Sequence, residues 1–103
     1  MKLPNDDIIL ELLPEFLDSW LHDMEYVLPQ LISEKNGADL RRFGHTLKGS
    51  AAQFGFEELR DMGIKMMSFA ELNDFDNAED FAKAIVQHLL EIKQFIESQN
   101  LSS

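Results

Sequence analysis

The chain has 103 residues, 45% of them hydrophobic and 27% charged. That is one domain's worth of sequence, enough for a modest core without staples. Nine Lys+Arg stand against 19 Asp+Glu, a formal net charge of −10, so nucleic acid and anionic membranes are unexpected partners. There is no cysteine, which excludes disulfides, thiol nucleophiles and Cys-based zinc sites. No apolar run approaches the roughly 18 residues a membrane span requires, and the first residues carry no signal-peptide pattern. A cytoplasmic, soluble protein is expected. Neither G-x-G-x-x-G nor G-x-x-x-x-G-K-[ST] occurs, so a nucleotide-driven enzyme within this chain is not expected.

The spacing of apolar residues is helical nearly throughout. Asn5, Asp6 and Asp7 can cap a short first helix ending near Leu13. Pro14 then suits the first position of the next helix, where a missing N–H costs nothing. Phe16, Leu17, Trp20, Leu21, Met24, Leu28 and Leu31 form one broad stripe. Pro29 lies inside that stripe and should kink or end the helix.

Asn36 can cap a third helix with Asp39 in its first turn. Leu40, Phe43, Gly44, Leu47, Ala51 and Phe54 make its buried stripe, and Gly55 ends it. A fourth helix starts near Phe56, carries Glu57 and Glu58 in its first turn, and buries Leu59, Met62, Gly63, Met66 and Ala70. Residues 73–77 read as a loop, with Asp76 and Glu79 resembling a capping box. The last helix buries Phe81, Ile85, Leu89, Ile92 and Ile96. The expected fold is all-α: a single domain over residues 1–103, an antiparallel up-down four-helix bundle with a short extra N-terminal helix. Residues 1–4 and 99–103 are expected to fray.

The third helix is unusual on its outer face. At about 100° per residue, His45 points roughly 140° from Leu40, away from the stripe. Its neighbours on that face are Arg41, Lys48, Gly49 and Ala52. Gly49 costs ~1 kcal/mol of helix propensity relative to Ala. Clearance around the imidazole, for another macromolecule, is a reason to accept that cost. No acidic residue occurs from Leu40 to Phe56, whereas Arg41, Arg42 and Lys48 lie there. Those cations could offset the charge of a phosphoryl group on His45.

Residues 45–55 read HTLKGSAAQFG. This resembles the signature of the histidine-containing phosphotransfer (HPt) domain, H-x-L-K-G-[SA]-[SA]-x-x-[FLI]-G, and the chain's length and helix order agree with that family. The resemblance implies a phosphorelay intermediate. His45 would accept a phosphoryl group from a receiver-domain aspartyl phosphate and pass it to another receiver. Lys48 would stabilise the phosphoryl charge and Gly49 would give steric clearance. Arg41, Ala52, Gln53, Ile64 and Met67 would contribute to binding. The implied partners are response-regulator receiver domains and a hybrid sensor kinase, with the chain itself a monomeric phosphocarrier rather than an enzyme. No cofactor or metal is expected on the chain; the divalent metal belongs to the receiver. The family often places Glu or Gln on the fourth helix to orient the histidine through Nδ1. The corresponding residue here is Met67, whose thioether is only a weak acceptor.

The other histidines lack that company. His22 lies opposite its stripe and reads as a plain surface residue. His88 falls within the last helix's stripe and reads as a packed or boundary residue. Glu-x-x-His pairs, as in di-metal bundles, are absent, because Ser19, Arg42 and Ile85 precede the three histidines at that spacing. The methionines read as core filler. Ile64 and Met67 are turned toward the His45 side, where they could form an apolar docking contact or a half-buried seam. An alternative on the same fold is a non-phosphorylated adaptor that binds and inhibits a receiver or kinase.

Overall fold

The computed structural model describes residues 3, 4 and 6–100, without the side chain of Asn100. It consists of five helices: α1 (Asp7–Tyr26), α2 (Leu28–Ser33), α3 (Gly37–Gln53), α4 (Glu57–Glu71) and α5 (Phe75–Asn100). They form a rod of 46 × 20 × 18 Å. The first rod of the bundle is α1 prolonged by α2. Around the core, α2 packs on α3, α3 on α4, α4 on α5, and α5 on α1. The all-α bundle expected from the apolar spacing is therefore present.

The separate N-terminal helix is not. Asp6 caps α1, accepting from the Ile8 amide at 2.8 Å, and the helix runs unbroken through Pro14. An interior proline costs a backbone hydrogen bond and about 3 kcal/mol. The compensation is register. Leu13, Phe16, Leu17, Trp20 and Met24 are all buried on one continuous face, and each such side chain contributes roughly 1.5–3 kcal/mol on burial. A break at Pro14 would turn Leu13 out of line with the rest. Pro29 does end its helix. α1 stops at Tyr26, and α2 restarts with Pro29 in its first turn, where no intrahelical donor is needed.

Three of the turns share one geometry. Lys35, Gly55 and Asn73 adopt positive φ (51°, 80° and 54°). In each, the next amide reaches back to close the preceding helix: Asn36 to the Leu31 carbonyl at 3.0 Å, Phe56 to Ala51 at 2.9 Å, Asp74 to Phe69 at 2.8 Å. These are Schellman closures. The residue that closes one helix is also the one from which the next begins, which explains why the connections are so short.

The start of α5 differs from expectation. Asp74, not Asp76, is the cap: its carboxylate accepts from the Asn77 amide at 3.2 Å and from Asn77 Nδ2 at 2.6 Å. Residues 75–77 are therefore helical. The turn closure at Asp74 consumes the residue before Phe75, which moves the helix start upstream of the capping box read in the sequence.

Leu28, Leu40, Leu47, Leu59, Met66, Ile85, Leu89 and Ile92 are fully enclosed in the core. Ala78 is buried where α5 begins. Among the described residues no charged or polar side chain is buried. Phe43, Phe54, Met62, Phe81 and Ile96 pack against the core but remain half-buried. Of the terminal residues expected to fray, Leu3 packs against the core and Gln99 belongs to α5. Met1, Lys2, Asn5 and residues 101–103 lie outside the described residues.

Candidate functional site

α3 and α4 form the most extensive helix pair of the bundle, and two glycines explain how closely they approach. A Cβ on Gly63 would lie 2.6 Å from the Lys48 amide nitrogen and 2.8 Å from the Gly44 carbonyl oxygen. A Cβ on Gly44 would lie 2.8 Å from the Gly63 carbonyl and 2.9 Å from Met67 Cγ. Backbone thus meets backbone, and the helices run antiparallel. Arg41 pairs with Glu71, Gly44 faces Gly63 and Met67, and Lys48 faces Gly63.

That registration sets two stripes side by side. Arg41, His45, Lys48 and Ala52 occupy one flank of α3; Arg60, Ile64, Met67 and Glu71 occupy the facing flank of α4. His45 is exposed, as are Gly49, Ala52 and Gln53. Ile64 is 46% exposed, while Lys48 and Met67 are half-buried. The structure brings His45, Lys48, Arg41 and Met67 to one seam of the bundle. Gln53 sits further down the same helix, outside that stripe.

No hydrogen bond or ion pair engages either ring nitrogen of His45 among the described residues. The Met67 thioether, beside Gly44, offers no strong acceptor. Gly49 has open space around it: a Cβ there would meet nothing within 4 Å. The other two histidines are occupied. His22 Nδ1 lies 3.5 Å from Asp23, and its ring centroid 4.8 Å from that of Tyr26. The His88 side chain is only 12% exposed, with Nδ1 3.7 Å from Glu58.

The cationic patch is more neutralised than the one-dimensional charge pattern implies. Arg42 pairs with Asp39 at 3.1 Å, one turn earlier on α3. Arg41 Nε donates to Glu71 Oε1 at 2.9 Å across the helix seam. Lys48 is the cation of the three that no carboxylate engages among the described residues. Glu71 is the neighbour that the sequence reading did not single out. Its signal was present: it continues the stripe of Ile64 and Met67 at helical spacing.

The described residues contain no cluster of His, Asp and Glu able to hold a metal ion. None of their helices is long and apolar enough to cross a membrane. What the seam offers is an exposed imidazole without a partner among the described residues, a lysine one turn along the same helix, and open space at the glycine beside it.

Comparison with known proteins bears on the family of the chain. The sequence profile of the Hpt domain matches residues 11–98. The phosphorelay intermediate protein rdeA of Dictyostelium discoideum is 27% identical over 81 residues, 76% of this chain. The match spans 32% of that relative's own length. No solved structure matches. With the profile covering most of the bundle, the chain belongs to the Hpt domain family, whose role is phosphotransfer.

Proposed function

We propose that this chain is a phosphorelay intermediate that carries a phosphoryl group on His45, taking it from an aspartyl phosphate of one receiver domain and giving it to another. The observation that carries this reading is that His45, alone of the three histidines, is exposed with neither ring nitrogen paired among the described residues. A lone pair on a neutral ring nitrogen attacks the phosphorus of the aspartyl phosphate. The N–P bond forms as the acyl O–P bond breaks, and the carboxylate leaves with the electron pair. The other ring nitrogen keeps its proton. Phosphoryl transfer depends mostly on positioning and charge neutralisation. The rigid α3 supplies the first and Lys48 the second, while the receiver brings the aspartate and its divalent metal. Gly49 and Ala52 leave room for the receiver, and Ile64 with Met67 gives it an apolar contact beside the ring.

Mixing the chain with a phosphorylated, radiolabelled receiver domain tests this. Label should move to the chain, survive alkali and be lost in acid, as a phosphoramidate is. His45→Gln should abolish labelling while the helical circular dichroism is retained. Label that persists on His22 or His88 in that variant would overturn the assignment. Tight binding of the receiver with no label transferred would favour an adaptor instead.

A further inference from the structure

The ion pair between Arg41 and Glu71 stands at the seam that holds His45, yet the transfer chemistry above makes no use of Glu71. Arg41 is one turn before His45 on the same flank of α3, so their Cβ atoms are about 5–6 Å apart. The guanidinium is held through Nε alone, at 2.9 Å from Glu71 Oε1; its two terminal nitrogens have no partner among the described residues. The side chains are 51% and 55% exposed, so the pair is weak and exchangeable. Arg42, by contrast, is held on its own helix by Asp39 and is 77% exposed on the outer face.

A phosphoryl group on His45 would bring up to two negative charges and three acceptor oxygens within reach of that guanidinium, against one charge on Glu71. An arginine fork matches phosphate geometry better than a lysine does. We infer that Glu71 tunes the phosphoryl affinity of His45 by sharing Arg41. It holds the guanidinium while the ring is free and gives it up when the ring is phosphorylated. This inference rests on the phosphocarrier reading of His45. The consequence is a weaker hold on the phosphoryl group. Forming the phosphorylated state requires Arg41 to leave Glu71, so the cost of breaking that pair is subtracted from the gain at the phosphoryl group. With Glu71 neutral, Lys48 and an uncommitted Arg41 would together retain a group that a carrier has to release. Glu71 is thus a positioning residue acting through Arg41.

The test is a double-mutant cycle on the full chain. Wild type, Glu71→Gln, Arg41→Ala and the double variant are loaded with phosphoramidate, which phosphorylates histidine without a partner protein. Each is freed of reagent and mixed with a purified receiver domain and Mg2+, and the ratio of phosphorylated chain to phosphorylated receiver is measured. Glu71→Gln should raise that ratio by about two- to fivefold, the size expected of a half-exposed pair. Arg41→Ala should lower it, and in that background the gain from Glu71→Gln should largely vanish. Glu71→Asp should stay near wild type. In the wild type the 15Nε resonance of Arg41 should shift when His45 is loaded, a signal that a purely structural ion pair would not produce. Circular dichroism and the thermal midpoint check that the variants fold alike. An equal gain with and without Arg41, a fall in the ratio on Glu71→Gln, or an unmoved Arg41 resonance would overturn the inference while leaving the carrier reading intact. Failure of His45 to load, or of the receiver to draw the group off, would overturn the carrier reading and this inference with it.

Discussion

Gly63 lies so close to the Lys48 amide that a Cβ would stand 2.6 Å from that nitrogen. Gly49, one residue further along α3, faces open space. Two glycines near one histidine therefore answer to different demands. At Gly63 the obstacle is backbone, which cannot swing aside as a flexible side chain would. Gly63→Ala should destabilise the fold by about 1–3 kcal/mol through overpacking. Gly49→Ala should be neutral or stabilise by up to ~1 kcal/mol, because helix propensity is its only term. Urea denaturation of both variants measures the contrast. Equal effects would mean that α3 and α4 do not meet backbone to backbone at Gly63.

Lys48→Ala should slow phosphoryl transfer severalfold and change stability by no more than about 1 kcal/mol. Its ammonium has no carboxylate partner among the described residues to lose, and surface charges contribute little to folding. Stopped-flow transfer from a phosphorylated receiver, set beside thermal melts, separates the two quantities. A large loss of stability with an unchanged rate would make Lys48 a packing residue of the seam.

Met67→Gln should order the His45 ring. The wild-type thioether is a weak acceptor beside Gly44, so nothing from α4 selects a tautomer. An amide at that position can accept from one ring nitrogen and leave the other free. Ring 15N shifts should move from an averaged pair of tautomers toward a single one. Identical shifts in both proteins would place residue 67 out of reach of the imidazole. Ordering the ring beforehand removes a rotamer-entropy cost at docking, so the transfer rate should rise with it.

Asp74→Ala should cost about 0.5–2 kcal/mol, the range for loss of an N-cap. Asp74 accepts from the Asn77 amide and from its side chain, and it also closes the turn from α4. Asp76→Ala should cost less, since only a first-turn charge is lost. Thermal melts of the two single variants rank them, and the reverse ranking would restore the later helix start read from the capping-box pattern.

Helical periodicity is a local property, so it was readable from the chain alone. The spacing of Leu40, Leu47 and Ala51 was enough to turn His45 outward. Its run of neighbours through Gly55 was enough to suggest the family. Pro29 ended its helix as a proline's missing donor requires. Pro14 did not, because whether an interior proline is tolerated depends on what the two halves of the helix bury together. The alignment of Leu13 with Phe16 and Trp20 against the other helices decided it. The charge around His45 likewise needed the third dimension. Along the sequence Arg41 stands in a stretch free of acid, and its partner Glu71 is 30 residues away. Only the antiparallel crossing at Gly44 and Gly63 brings that carboxylate to the guanidinium. A one-dimensional charge pattern cannot register a neighbour supplied by another helix, and tertiary packing left Lys48, not Arg41, as the cation beside the histidine that no carboxylate engages among the described residues.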